Sequence, residues 1–236
     1  MISIITPNLN NAKYLEDNIL SISKLNIPFE HIIIDGGSTD GSLDIILKYP
    51  QIKLLHQTEK TGMYGAIHQG FSEAKGEYIT WVNADDRIIT AGFEAMYLEI
   101  SKGICDFIYS DGYYYYVKEN IQKFGKGRRF GKFFLKHGCM PTMQPSSIYT
   151  KNLYLEIGGL RYDKFKIIGD LDLFLRMAKL KKCRFKYIRA LSTVFSNRDD
   201  SLGNSNSNLY YKELADNQMP KPNLLVSILY RIFKYI

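Results

Sequence analysis

The sequence predicts an α/β fold, a mainly parallel Rossmann-like sheet flanked by helices that runs into a more irregular C-terminal half. Three observations predict it. Through the first hundred residues, short apolar runs alternate with segments of helical period, the pattern of βαβ units. The turns after those runs gather glycine, asparagine and aspartate on what would be one edge of the sheet. After about residue 104 the alternation stops.

Ile2 to Thr6 reads as a first strand ended by Pro7 and an asparagine-rich loop, after which Leu15, Ile19 and Ile22 fall at helical spacing. His31 to Asp35 is a second strand, followed by a Gly-Gly-Ser turn and a helix carrying Leu43, Ile46 and Leu47. Ile52 to His56 forms a third strand, Met63 to Ala74 a helix and Tyr78 to Val82 a fourth strand. Beyond these, Asp106 to Asp111 reads as a strand, Tyr113 to Tyr116 as a hairpin arm and Gly125 to Gly131 as a mobile basic loop. Leu171, Phe174, Leu175 and Ala178 mark a helix from Asp170; strands are expected near Arg184 to Ile188 and Leu191 to Phe195. Asn197 to Asn208 is polar and turn-rich, a loop over a site.

Composition narrows the class. The apolar content supports a proper core, and no run approaches the roughly eighteen apolar residues of a membrane span. Met1 to Pro7 has no basic leader, so the chain is expected to begin at Met1 in the cytoplasm, with contact at the inner face of the membrane as the peripheral variant. Cys105, Cys139 and Cys183 are too widely spaced for a zinc site or disulfide framework and read as reduced thiols. His31, His56 and His137 show no metal spacing. The net charge of +7 is uneven: Lys118 to Lys136 carries seven basic residues against Glu119 alone, and Lys179 to Arg189 carries six with no acid. Such patches either serve an acidic partner or form a solvated face.

The polar strand ends are Thr6-Pro7-Asn8, Asp35-Gly36-Gly37-Ser38-Thr39-Asp40 and Asn83-Ala84-Asp85-Asp86. Glycines after Asp35 allow positive φ and close approach of a ligand to backbone N–H groups, while Asp40 reads as a helix cap. Adjacent carboxylates at Asp85 and Asp86 suit Mg²⁺ or Mn²⁺ shared with substrate phosphates, and on spacing alone equally suit a solvated turn. Asp170 by itself reads as an N-cap and Asp172 as a first-turn acid.

The stretches "ISIITPNLNNAKYLEDNILSI", "HIIIDGGSTDGSLDII", "GMYGAIHQG" and "AKGEYITWVNADD" come in the order and spacing of family 2 glycosyltransferases, which have the GT-A nucleotide-sugar fold. The resemblance is close over the first hundred residues and continues more loosely through "QPSSIYTKNLYLEIGGL" and "IIGDLDLFLRMA". It is strongest to bacterial enzymes of surface polysaccharide and lipopolysaccharide synthesis. It implies that Thr6, Pro7 and Asn8 border a nucleotide pocket, that Asp35 and Gly36 close its base or ribose side, and that Asn83, Asp85 and Asp86 hold ribose and metal-bound diphosphate. Asp86 is the first choice as direct ligand of Mn²⁺ or Mg²⁺, and Asp170 matches the catalytic base. Residues 1–220 are then one domain, with a donor half to 103, an acceptor half from 104, and an amphipathic tail over 221–236.

The chain departs from the family pattern at Gly36, Lys60, Gly65, His68 and Gly169, and these departures bear on the nucleotide, the donor sugar and the pKa of the base. The reaction expected is inverting transfer of a sugar, from a UDP-sugar by preference, to a saccharide or polyprenyl-diphosphate-linked acceptor. In the tail, Leu225, Leu229, Ile232 and Ile236 share a helical face beside Arg231 and Lys234, which suits a membrane surface, the protein's own body or a second subunit of a homodimer. Rival readings are nucleotidyl transfer, which lacks its glycine-rich triphosphate grip here; an inactive nucleotide-binding scaffold; and nucleic-acid binding, which is not expected because no recognisable motif accompanies the basic patches.

Overall fold

A computed structural model describes residues 1–233 of the chain. Its first half is β1 (Ile2–Asn8), α1 (Ala12–Ser23), β2 (Phe29–Asp35), α2 (Ser42–Ile46), β3 (Lys53–His56), α3 (Gly62–Glu73) and β4 (Tyr78–Trp81). β3, β2, β1 and β4 lie side by side, all parallel. Helices cover both faces, so these strands are apolar throughout rather than alternating. Ile32 and Ile34 pack with Ile67 and Phe71 of α3, while Ile33 packs with Leu15 and Ile19 of α1 on the opposite face.

Pro7 does not end β1, which runs on to Asn8. Ile5 O accepts from Val82 N, so odd-numbered residues of β1 direct their polar groups towards β4, and Pro7 lies past the last paired position there, Ile5 opposite Trp81. A missing N–H costs nothing at that place. Asn8 remains paired with Asp35 of β2, which brings both carboxyl ends level.

The second half comprises β5 (Arg87–Ile88), α4 (Thr90–Ile100), β6 (Phe107–Tyr116), β7 (Ile121–Gly125), α5 (Gly131–Lys136), a 3₁₀ turn (Gln144–Ser146), β8 (Ser147–Thr150), α6 (Lys151–Glu156), α7 (Gly169–Lys179), β9 (Phe185–Asn197), α8 (Leu202–Ser205), α9 (Ser207–Asp216) and α10 (Leu224–Ile232). The sheet continues from β4 through β8, β6 and β9 to β5, with β7 paired to β6. β8 is antiparallel to both neighbours, so β6 runs the same way as β4 and carries the parallel sense across the sheet.

Three expectations change here. The two strands foreseen after Arg184 are one, β9, because a shift in its register with β6 between Tyr109 and Gly112 absorbs the polar Arg189-Ala190 interruption. The basic segment 125–131 is anchored rather than loose: Gly127 N donates to Asp111 Oδ1 at 2.7 Å, Arg128 N donates to Pro141 O at 2.6 Å, and the Arg128 guanidinium lies 4.7 Å from the Tyr230 ring centroid. The 197–208 stretch carries α8 and the start of α9; its asparagines and serines bond within the segment, as Asn204 Nδ2 does to Arg198 O at 2.7 Å. Among the described residues no helix is long and apolar enough to cross a membrane. Of the tail's expected face, Lys234 and Ile236 lie outside the described residues.

Candidate active site

The carboxyl ends of β1, β2 and β4 lie side by side at one edge of the sheet. Thr6 Oγ1 sits 2.9 Å from His31 Nε2, and burial pushes the His31 imidazole down to about 3, so the pair is a neutral brace between β1 and β2. Asn8 Nδ2 donates to Asp35 Oδ2 at 2.8 Å. The Asp35 carboxylate also accepts from Gly37 N (2.9 Å), Ser38 N (2.8 Å) and Ser38 Oγ (2.6 Å). Burial alone would raise its pKa, but the bonds from Ser38, Asn8 and Gly37 outweigh that and hold it below the ordinary range. With its lone pairs taken and 1 % of its surface exposed, Asp35 shapes the loop over Gly36 to Ser38 rather than offering a free carboxylate. Asn8 Oδ1 is buried and has no partner, a group left for ligand or water. Asp40 caps twice, accepting Ser42 N at 3.0 Å and Ala12 N, the first residue of α1, at 2.7 Å.

After β4 the chain turns sharply, Asp86 N donating to Asn83 O at 2.9 Å, and the buried Asn18 of α1 donates to both Asn83 O and Asp86 O at 2.9 Å. The two carboxylates part at this turn. Asp86 points inward, is fully buried, and accepts Ser196 N of β9 at 2.8 Å. Burial first, and then the charge of Asp85, push its pKa well above the usual carboxylate range. Asp85 stays partly exposed, 3.2 Å from Arg198 Nη1. Burial raises its pKa too, against the lowering effect of Arg198. Arg198 is itself held by Asp200 at 2.8 Å through both Nε and Nη2, by Asn11 Oδ1 at 3.0 Å, and by the Tyr14 ring 4.6 Å below.

Among the described residues no three His, Cys, Asp or Glu side chains gather into a metal cage. A hard divalent ion nevertheless suits this edge: the half-buried Asp85 carboxylate and the buried, unpartnered Asn83 Oδ1 are oxygen donors, and diphosphate oxygens would complete the shell. Asp86, preferred in sequence as the direct ligand, does not fit that part, since its carboxylate is enclosed and bonded to β9. Gln144 also faces this edge; its Nε2 donates to Trp81 O at 3.0 Å and its Oε1 is buried without a partner.

Asp170 stands in the first turn of α7, half-buried. Tyr64 of α3 fixes it: the hydroxyl donates to Ile167 O at 2.8 Å, lies 3.4 Å from Asp170 Oδ1, and accepts Asp170 N at 3.3 Å. Burial raises the pKa of Asp170, opposed by Leu171 N and by Tyr64. Because Tyr64 belongs to the helix that follows β3, this contact brings Asp170 to the same carboxyl edge as Asp85. From α9, Glu213 accepts Lys166 N (2.7 Å), Ile167 N and Ile168 N (3.1 Å each) and fixes the segment leading into α7. Asp172 is structural, 2.8 Å from Arg176, whose Nη1 and Nη2 donate to Ile157 O and Gly159 O at 2.7 Å.

The departures from the family pattern differ in cause. A Cβ at Gly169 would sit 2.7 Å from the Tyr64 ring, and one at Gly65 1.7 Å from Thr61 Oγ1, so neither place takes an acid as the chain is packed. At Gly36 a Cβ would meet Gln57 Oε1 at 3.4 Å, an ordinary contact. His68 Nδ1 lies 2.9 Å from Tyr154 Oη and its ring 4.8 Å from that of Tyr162, while Lys60 is exposed. Sequence reasoning missed Arg198, Tyr14, Asn18, Tyr64 and Glu213. A signal existed for Arg198, a single cation set directly before Asp199 and Asp200.

The profile of the family described as Glycosyl transferase family 2 matches residues 3–158. A relative in Streptococcus pneumoniae, glycosyltransferase GlyG, is 34 % identical over 49 % of this chain and 40 % of its own. The putative teichuronic acid biosynthesis glycosyltransferase TuaG of Bacillus subtilis is 33 % identical over 37 % of this chain and 36 % of its own. The chain thus spans well under half the length of either. Among solved structures, S. aureus TarS 1-349 in complex with UDP-GlcNAc superposes with a TM-score of 0.66 at 17 % identity, covering 98 % of this chain and 71 % of that one. The Pyrobaculum calidifontis mannosyltransferase PcManGT with GDP-Man and Mn²⁺ gives 0.65 at 15 %, covering 99 % and 69 %. The fold is the GT-A nucleotide-sugar fold.

Proposed function

The chain belongs to glycosyl transferase family 2, and from that footing we propose that it moves a sugar from a nucleoside diphosphate, UDP by preference, to a saccharide or polyprenyl-diphosphate-linked acceptor in cell-surface polysaccharide synthesis, with inversion and with Mn²⁺ or Mg²⁺. What supports this reading is a pair of carboxylates of different environment, Asp85 beside Arg198 after β4 and Asp170 held by Tyr64 of the helix after β3. UDP as nucleotide is supported by the likeness to TarS, and a divalent ion by the oxygen donors at Asp85 and Asn83 and by the likeness to PcManGT.

In this mechanism Thr6, Pro7 and Asn8 line the nucleotide side, with Asn8 Oδ1 taking a donor from base or ribose, and the loop over Gly36 to Ser38 closes it. Asp85, with Asn83, would hold the ion, which when bound would supply Lewis-acid stabilisation of charge on the leaving diphosphate. Asp86 supports that turn from beneath by fixing it to β9. Arg198 supplies a second positive charge at the diphosphate. Asp170 accepts the proton of the acceptor hydroxyl as that oxygen attacks the anomeric carbon; the raised pKa suits a general base, worth about 10² to 10⁴ in rate. Gln144 Oε1 and the chain around α8 wall the acceptor side.

Release of nucleoside diphosphate from a panel of UDP-, GDP- and dTDP-sugars with Mn²⁺, followed with and without saccharide acceptors, tests the proposal. One donor should turn over, and Asp170→Asn should abolish the acceptor-dependent part. Turnover of none, or undiminished turnover by Asp170→Asn, would reject it.

A further inference from the structure

The tail helix α10 has two unlike faces. Val226, Tyr230 and Phe233 face the body: Tyr230 Oη donates to Met140 O at 2.7 Å, its ring lies 5.3 Å from Phe134 of α5, and Phe233 lies 5.3 Å from Phe130. The chain entering the helix is seated as closely, since a Cβ on Gly138, at φ +79, would fall 1.9 Å from Pro220 O. The other face is bare and apolar: Leu224 is 78 % exposed, Leu225 65 %, Ile228 45 % and Ile232 44 %. These four fall within about a third of a helical turn at 3.6 residues per turn, while Leu229 is half-buried. Packing on the protein and offering an apolar face outward are therefore properties of opposite sides of one helix.

The tail and the segment it packs on are rich in cations. Phe130, 64 % exposed at the start of α5 and packed against Phe233, lines a cavity of about 690 Å³ with Arg129, Lys132 and Arg189. Arg231 and Lys221 are exposed on the tail and Lys136 on α5. No acid occurs between Glu119 and Glu156, nor after Asp216. Among the described residues Arg129 and Lys136 enter no ion pair.

We propose that the outer face of α10, with the cations of the tail and of the segment it packs on, docks this protein on an anionic lipid bilayer. Leu224, Leu225, Ile228 and Ile232 enter the headgroup boundary and Arg129, Lys136 and Arg231 meet lipid phosphates, the arrangement of a helix lying in the interface plane. A second copy suits this face less well. A two-fold contact would set each cationic rim against itself on a chain of net charge +7. The helix is also short, nine residues and about 14 Å, for a stable pair, which buries about 800 Å² on each partner. The inference does not rest on the transferase reading.

The test is co-sedimentation of the full chain with vesicles of phosphatidylcholine alone and of equal parts phosphatidylcholine and phosphatidylglycerol. Binding is expected only to the anionic vesicles, weakening with added salt. Leu225→Glu with Ile228→Glu should lower it at least tenfold, and Arg129→Gln with Lys136→Gln and Arg231→Gln about a hundredfold, at about fivefold per cation. All five side chains are exposed, so circular dichroism and melting temperature should not move. Absence of binding to anionic vesicles, equal binding of the Glu variant, or a concentration-dependent dimer that Leu225→Glu dissolves would each overturn the proposal, the last by making a second copy the occupant.

Discussion

Arg198 Nη1 stands 3.2 Å from Asp85 Oδ2, with its guanidinium over the Tyr14 ring. A fixed cation therefore shares the carboxylate that a divalent ion would use. Removing it should act in opposite directions on two ligands. Arg198→Gln leaves Asp85 without its cation, so Mn²⁺ alone should bind more tightly, while nucleoside diphosphate, which loses a positive partner, should bind about tenfold more weakly. Calorimetric titration of each ligand separately checks this, and parallel changes would contradict it.

The neighbouring carboxylates should separate cleanly by mutation. Asp86→Ala strips the buried Ser196 N–H of its acceptor and should cost about 1 to 3 kcal/mol of stability. Asp85→Ala, at a half-buried carboxylate whose partner Arg198 keeps Asp200, should cost less stability yet remove metal-dependent nucleotide binding. Denaturant melts together with nucleotide titrations read both effects.

Activity should rise with pH on its acid side. Asp170 works as a base only when ionised, and burial raises its pKa, so the acid limb should lie above the ordinary carboxylate range, with full activity above it. Tyr64→Phe removes the hydroxyl that favours the ionised form, which should move that limb to higher pH and lower the maximal rate. A limb moving to lower pH would contradict the assignment.

Metal affinity should fall on acidification. The pKa of Asp85 is raised, so protons compete with a divalent ion there at higher pH than for an exposed carboxylate. Mn²⁺-dependent nucleotide binding should weaken as pH drops towards that range and release protons on mixing, measurable from the buffer dependence of binding heat.

The first half of the chain was legible because its signals are local. Apolar runs of strand length, period-3.6 helices and glycine turns specify β1 to β4 within two or three residues, and the polar strand ends mark the candidate site's edge of the sheet. What escaped depends on contacts across long separations. Asp85 and Asp86 are alike in sequence, and only the Ser196 N–H, 110 residues away, decides which one turns inward. Arg189-Ala190 looked like a break between strands because a register shift on the partner β6 cannot be read from β9 itself. Glu213 lies on a polar helix whose start falls in the Asn197 to Asn208 stretch that imitates a loop, yet it fixes the approach to Asp170.

The most direct test of the central claim is the melting temperature of the protein against UDP, GDP, CDP and dTDP, each with and without Mn²⁺, repeated on Asp85→Ala. A ligand at about a hundred times its dissociation constant adds about 2.7 kcal/mol, a shift a melting curve resolves. The account predicts a Mn²⁺-dependent shift with one nucleotide, UDP first, that Asp85→Ala loses. No shift with any nucleotide, or one that persists in Asp85→Ala, would contradict it.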